Sequence, residues 1–166
     1  MVKADPERPR DAAALAVLVA VCLGVAAAGG AATASSVGTW YQTLIKPSFN
    51  PPDGLFAPVW TTLFLVMAYA AWRIWRKRAL TGAWTALAVW MLQLGLNLAW
   101  SFIFFGARQI GVALAEVLLL LAAIFATTLL FWRIDRLSGW LFVPYLAWVA
   151  FATVLNAAIW RLNPGG

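Results

Sequence analysis

Residues 83–105 read AWTALAVWMLQLGLNLAWSFIFF, with no charged side chain among them. A helix rising 1.5 Å per residue needs ~20 such residues to cross a hydrocarbon core of ~30 Å, and this stretch meets that length. Strict alternation is absent and alanine and leucine are frequent, so a strand does not compete. A helix also satisfies its own backbone groups, which lipid cannot do. Four further runs of the same kind flank it, at about 12–34, 56–75, 109–132 and 139–160. The expected fold is therefore all-α, an integral membrane bundle of five transmembrane helices forming a single domain over residues 1–166.

The composition of the whole chain agrees. Of its residues 64% are hydrophobic and 11% charged, where ordinary soluble domains carry roughly a quarter charged. Eleven tryptophans lie mostly inside or at the ends of the apolar runs, and indoles gather where an apolar ring and a polar N–H can both be satisfied. The net charge of +6 comes from short basic clusters at the ends of runs, which is the flank of a membrane protein and not a nucleic-acid-binding face.

Several chemistries are missing. The chain has no histidine, which removes the commonest general base near neutral pH and the commonest metal ligand. The single cysteine, Cys22, allows no intrachain disulfide and no zinc or iron–sulfur site, so no metal is expected. No paired acids, no Ser–His or Cys–His arrangement and no phosphate-cradling glycine loop occur, so no catalytic residue is assigned.

The first run has the charged start and small-residue patch (Ala32–Ser36) of a secretory signal, but its apolar stretch is longer than a signal core, and it reads as a retained helix. Between the first two runs, Pro47, Pro51, Pro52 and Gly54 forbid a continuous helix. Trp40, Tyr41 and Phe49 keep that segment aromatic, so it is expected to lie as a rigid loop capping one end of the bundle. Lys3, Arg8, Arg10, Arg73, Arg76, Lys77, Arg78, Arg133 and Arg136 fall at one end, with Lys46, Arg108 and Arg161 at the other. In a bacterial cell membrane this bias puts the N-terminus in the cytoplasm and the loop outside.

Helical spacing then sorts the third run into faces. Gln93, Asn97 and Trp100 share one side. Membrane amides avoid lipid because unmet hydrogen bonds are costly there, so each of them is either interhelical glue or a cavity wall. Gly95 and Ala99 form a small-xxx-small pair on the opposite face, where a second helix could approach. The second run opens with Pro58-Val59-Trp60, placing a proline in the first turn, and carries Phe64 and Met67 on the face of Trp60. The fifth places Trp148, Ala152 and Asn156 together, after Pro144-Tyr145. Glu116 is the one acid inside a span. A charge there costs roughly 2.5–3.5 kcal/mol on insertion scales, which leaves a proton relay, a ligand contact or a protonated acid bonded to a neighbouring helix. Flat aromatic walls with a few hydrogen-bonding groups suit a large, flat, apolar molecule with polar edges, such as a porphyrin, a sterol or a polycyclic drug.

These stretches also resemble a known family. Trp40-Tyr41 leading to Lys46-Pro47-Ser48-Phe49-Asn50-Pro51-Pro52, then Pro58-Val59-Trp60-Thr61-Thr62-Leu63-Phe64, are similar to the TspO/MBR family of tryptophan-rich sensory and translocator proteins, the peripheral-type benzodiazepine receptors. So are Gln93 to Trp100, Phe104-Phe105-Gly106-Ala107-Arg108-Gln109, Pro144 to Trp148 and Ala152 to Asn156. The resemblance implies a five-helix bundle, usually a homodimer, with a cavity capped by the first loop, and the small pair Gly95 and Ala99 offers the dimer interface. It implies a membrane receptor for porphyrins, haem and benzodiazepine-site drugs, which are ligands and not cofactors, acting as a sensor or translocator. Light-dependent porphyrin breakdown and transport of porphyrins or lipids are the alternatives it raises. Carried over residue by residue, the implied ligand contacts are Tyr41, Pro47, Trp60, Gln93, Asn97, Trp100, Trp148 and Ala152. Phe49 and Asn50 depart from the commoner loop residues. The sterol motif of animal members lacks its tyrosine here, where Asn156-Ala157-Ala158-Ile159-Trp160 stands, so sterol binding is not carried over.

Overall fold

A computed structural model describes residues 7–164, with side chains from Arg10 onward. Every regular element among the described residues is helical: α1 (Glu7–Val37), α2 (Trp40–Thr43), α3 (Asp53–Arg76), α4 (Ala83–Ser101), α5 (Ile110–Ile134) and α6 (Arg136–Leu162). Five of these helices are long and apolar enough to cross a membrane. The chain is a multi-pass membrane protein, and the short α2 sits in the loop between the first two spans.

Each span is longer or differently ended than its apolar run suggests, for local reasons. α3 starts at Asp53, ahead of the expected residue 56, because Pro52 holds extended backbone (φ −56°, ψ 137°) and Asp53 supplies an acid to the first turn, where it meets the positive end of the helix dipole. Pro58 accordingly lies inside the helix and not in its first turn. α6 starts at Arg136 and not near 139, because Asp135 caps it by accepting from Ser138 N at 3.1 Å and Ser138 Oγ at 2.7 Å. α4 passes into a π-helical turn at Phe102–Gly106, in which Ala107 N donates to Phe102 O at 2.7 Å. Arg108 then takes φ 59° to let the chain reverse into α5.

Around the bundle the helices follow the order α1, α3, α6, α5, α4, with α3 also touching α4 across the middle. The core between them holds Met67, Ala71, Ile74, Trp90, Leu94, Ile124, Phe131 and Phe142. The α5–α6 hairpin closes tightly at Gly139, where a Cβ would come within 2.9 Å of Trp132 Cα. α1 is the most peripheral span: 6% of its most apolar window is buried, against 33–44% for the other four.

The charges divide between the two ends as the sequence predicts, with Lys3 and the side chain of Arg8 outside the described residues. At the basic end Arg73 Nε and Lys77 Nζ bond Asp135 at 2.8 and 2.6 Å, and Arg76 Nε meets Asp11 at 3.1 Å. Arg78 lies 3.9 Å over the ring of Trp75, and Arg76 lies 5.0 Å over Trp72. The other end carries the loop. There Tyr41 OH donates to Asn50 Oδ1 at 2.8 Å and Gln42 Nε2 to Asp53 Oδ2 at 2.7 Å. Asn163, just past α6, holds both backbone groups of Ile45 at 3.0 Å. The segment expected to cap one end of the bundle lies there, bonded by side chains at three points.

Candidate ligand cavity

Under that cap lies a cavity of about 370 Å³, walled by α1, α3, α4 and α6. This is within the few-hundred-Å³ range of small-molecule sites. α3 supplies Phe56, Trp60 and Phe64, α4 supplies Asn97, Trp100 and Ser101, and α6 supplies Trp148, Ala152, Leu155 and Asn156. The roof is Tyr41, with Phe104 and Phe105 from the π turn. That turn frees the Phe105 carbonyl, which accepts from Ser36 Oγ of α1 at 2.7 Å and draws the end of α1 against α4.

The aromatic groups brace one another. Trp100 stacks on Phe104 with centroids 5.1 Å apart, Trp60 meets Tyr145 edge-on at 6.2 Å, and Trp148 contacts Phe56 at 6.1 Å. Trp100 Nε1 donates to Asn156 Oδ1 at 3.1 Å, and Asn156 Nδ2 donates to the Ile110 carbonyl at 3.0 Å. One chain of bonds thus ties α4, α6 and the start of α5. The indole N–H groups of Trp90 and Trp148 are buried with no partner among the described residues. At the roof, burial and then the charge of Asp53 push the Tyr41 phenol up to about 12, against the opposing bond to Asn50. Tyr41 therefore stays a neutral donor across the physiological range.

Six of the eight expected contacts meet at this cavity: Tyr41, Trp60, Asn97, Trp100, Trp148 and Ala152. Gln93 and Pro47 are not among its lining residues. Gln93 is fully buried one turn deeper, where its Oε1 accepts from Tyr145 OH at 2.9 Å while that hydroxyl accepts from Asn97 Nδ2 at 3.1 Å. Gln93 is the interhelical glue of the two readings, and Asn97 faces both ways. Pro47 instead closes a turn in the cap, accepting from Asn50 N at 3.0 Å. Gly95 lies exposed on the outer face of α4, and a Cβ there would meet no atom within 4 Å. Ala99 beside it is half-buried.

Glu116 is buried and neither carboxyl oxygen has a partner among the described residues, so it is not bonded to a neighbouring helix. No group of three or more His, Cys, Asp or Glu that could hold a metal occurs among the described residues. One wall is absent from the sequence reading. Val25, Ala26, Gly29, Gly30, Thr33, Ala34 and Val37 of α1 complete the enclosure, but a Gly/Ala-rich stripe whose one hydroxyl is bonded within its own helix carries no polar signal to single it out.

The model of the TspO/MBR family matches residues 16–161. The chain is 41% identical over 145 residues to Protein CrtK of Rhodobacter capsulatus, covering 84% of this chain and 88% of that protein. It is 41% identical over 154 residues to the Tryptophan-rich protein TspO of Chlorobaculum tepidum, covering 90% and 96%. With the human Translocator protein it shares 45% identity over 131 residues, 76% of each chain.

Proposed function

The chain belongs to the TspO/MBR family, and from that premise we propose that it is a membrane receptor for tetrapyrroles such as protoporphyrin and haem, acting as a sensor or translocator. The observation that carries the reading is a loop-capped cavity faced by three indoles, Trp60, Trp100 and Trp148, with the amide of Asn97 among them. Flat apolar faces suit a macrocycle, and one or two amides and a phenol suit its polar edges. Relatives named sensory protein and translocator protein support the same role. Benzodiazepine-site drugs share the flat, polar-edged form and compete for the same space. In this reading the protein sits in a bacterial cell membrane with its N-terminus in the cytoplasm, and two copies pair through Gly95 and Ala99 on the outer face of α4.

Purified protein in one detergent, titrated with protoporphyrin, haem and a sterol, tests it by tryptophan quenching. Saturable binding of both tetrapyrroles and none of the sterol is expected. If neither tetrapyrrole gives a saturable curve, the reading fails.

A second reading is favoured by the position of two oxidisable indoles, Trp60 and Trp148, on the cavity wall. Here light and oxygen acting on bound protoporphyrin supply the chemistry, and the indoles react with the photoproducts. Under illumination in air, Trp60→Phe and Trp148→Phe then yield less degradation product per bound porphyrin. Unchanged product in both variants would end this reading and leave the receptor role untouched.

A further inference from the structure

The cap and the side of the cavity differ in how they are closed. Over the top, the bond Gln42–Asp53 and the paired bonds of Asn163 to Ile45 hold the loop to the bundle, and Tyr41–Asn50 braces it within itself. Lifting it off the bundle breaks the ties to Asp53 and Asn163. The seam between α1 and α3 is closed at one end only. Near the basic end Trp72 Nε1 of α3 donates to Asp11 O at 2.8 Å, and Arg76 pairs with the Asp11 carboxylate at 3.1 Å. Towards the loop end α1 leans the other way, onto α4. A Cβ on Gly29 would lie 3.1 Å from Ser101 Oγ, and Ser36 bonds the Phe105 carbonyl. No side-chain hydrogen bond joins α1 to α3 beyond Asp11 among the described residues.

The exposed residues of the cavity wall fall along that open stretch. They are Gly30 and Ala34 on α1 and Asp53, Ala57 and Thr61 on α3. On each helix the small residues are one turn apart, so two bare edges face one another. The hydroxyls there are spent within their own helices: Thr61 Oγ1 donates to Ala57 O and Thr33 Oγ1 to Gly29 O, each at 2.9 Å. Apart from Asp53 at the loop end, the edges are therefore apolar and tolerate hydrocarbon.

We propose that the cavity exchanges its ligand sideways with the bilayer, through a window between the loop-side halves of α1 and α3, while the cap stays latched. The inference rests on the receptor reading. It makes the ligand a molecule dissolved in the membrane, delivered from the hydrocarbon region and returned to it, with Gly30, Ala34 and Ala57 setting the width it must pass. Asp53, bonded to Gln42, marks the upper edge at the water boundary.

Protein reconstituted in phosphatidylcholine vesicles, mixed in stopped flow with vesicles carrying protoporphyrin, tests the route through tryptophan quenching. Gly30→Phe and Ala57→Phe narrow the window, and at Gly30 a Cβ meets no atom within 4 Å, so the larger side chain has room. Asn163→Ala loosens the cap by removing its tie to the end of α6. In the narrowed variants both association and dissociation slow by about tenfold, because a gate acts on both directions, and Asn163→Ala leaves both within about twofold. Faster dissociation in the Phe variants would mean a damaged wall and no gate, which overturns the inference. So would unchanged rates in them together with faster exchange in Asn163→Ala. If the unmodified protein shows no saturable quenching, the receptor reading itself falls and takes the window with it.

Discussion

Replacing Trp148 by Ala lowers protoporphyrin affinity by about 30-fold, roughly 2 kcal/mol, while replacing Trp84 by Ala changes it less than about twofold. The two residues are the same type in the same bundle, and their surroundings separate them. Trp148 lies on the cavity wall, packed on Phe56 and Phe151 at 6.1 and 5.8 Å. Removing its indole takes away a flat apolar face and leaves a void that a bound macrocycle cannot fill. Trp84 is 63% exposed at the start of α4, where an indole anchors the helix at the membrane boundary and touches no ligand. Asn97→Ala falls between them, since it removes one polar contact and also strips the Tyr145 hydroxyl of its donor. Fluorescence quenching titrations on the three variants decide the matter, and equal losses for Trp84 and Trp148 refute the cavity assignment.

Much of this arrangement is legible in the residues alone. Run length gives five spans, and the basic clusters separate the two ends. The spacing of Trp148, Ala152 and Asn156 on one face corresponds to three lining residues. Spacing has a limit, however, shown by Gln93. It shares a face with Asn97 and Trp100, but a residue four places away is displaced by ~6 Å along the axis. At that depth Tyr145 and Met67 fill the space, so Gln93 meets the Tyr145 hydroxyl and no cavity. Periodicity gives direction around a helix and says nothing of where an empty space begins or stops. The α1 wall escapes for the complementary reason. Gly29 and Gly30 matter by what they leave open, and a missing side chain is read in a sequence as ordinary small-residue packing.

The terminal clusters conceal a similar distinction, and the largest stability effect follows from it. Asp135→Ala is expected to destabilise the protein by about 2–4 kcal/mol, combining a broken, partly buried ion pair with a lost helix cap. Asp135 is 8% exposed and sits between α5 and α6. It bonds Arg73 Nε and Nη2 at 2.8 and 3.2 Å and Lys77 Nζ at 2.6 Å, and it caps α6 through Ser138. Its removal leaves two cations on α3 without a counter-charge and cuts the tie from α3 to the α5–α6 turn. Arg73 and Lys77 keep side-chain exposures of 27% and 40%, so water recovers part of the loss and the effect stays below that of a fully buried pair. Thermal unfolding in detergent reads it as a midpoint lower by roughly 5–10 °C. The bonds from Arg73, then Lys77 and Ser138, hold the Asp135 carboxyl well below the usual carboxylate range against the opposing effect of burial. A depressed folded value means that this stabilisation is complete above about pH 4, the ordinary range of an unfolded aspartate. It is lost as the pH falls from there towards the depressed folded value. Asp135→Asn, which keeps the size and some of the capping, should therefore lack this residue's share of the acid destabilisation and melt between the alanine variant and the unmodified protein at neutral pH. An alanine variant that melts with the unmodified protein would show that the basic end is held by packing alone.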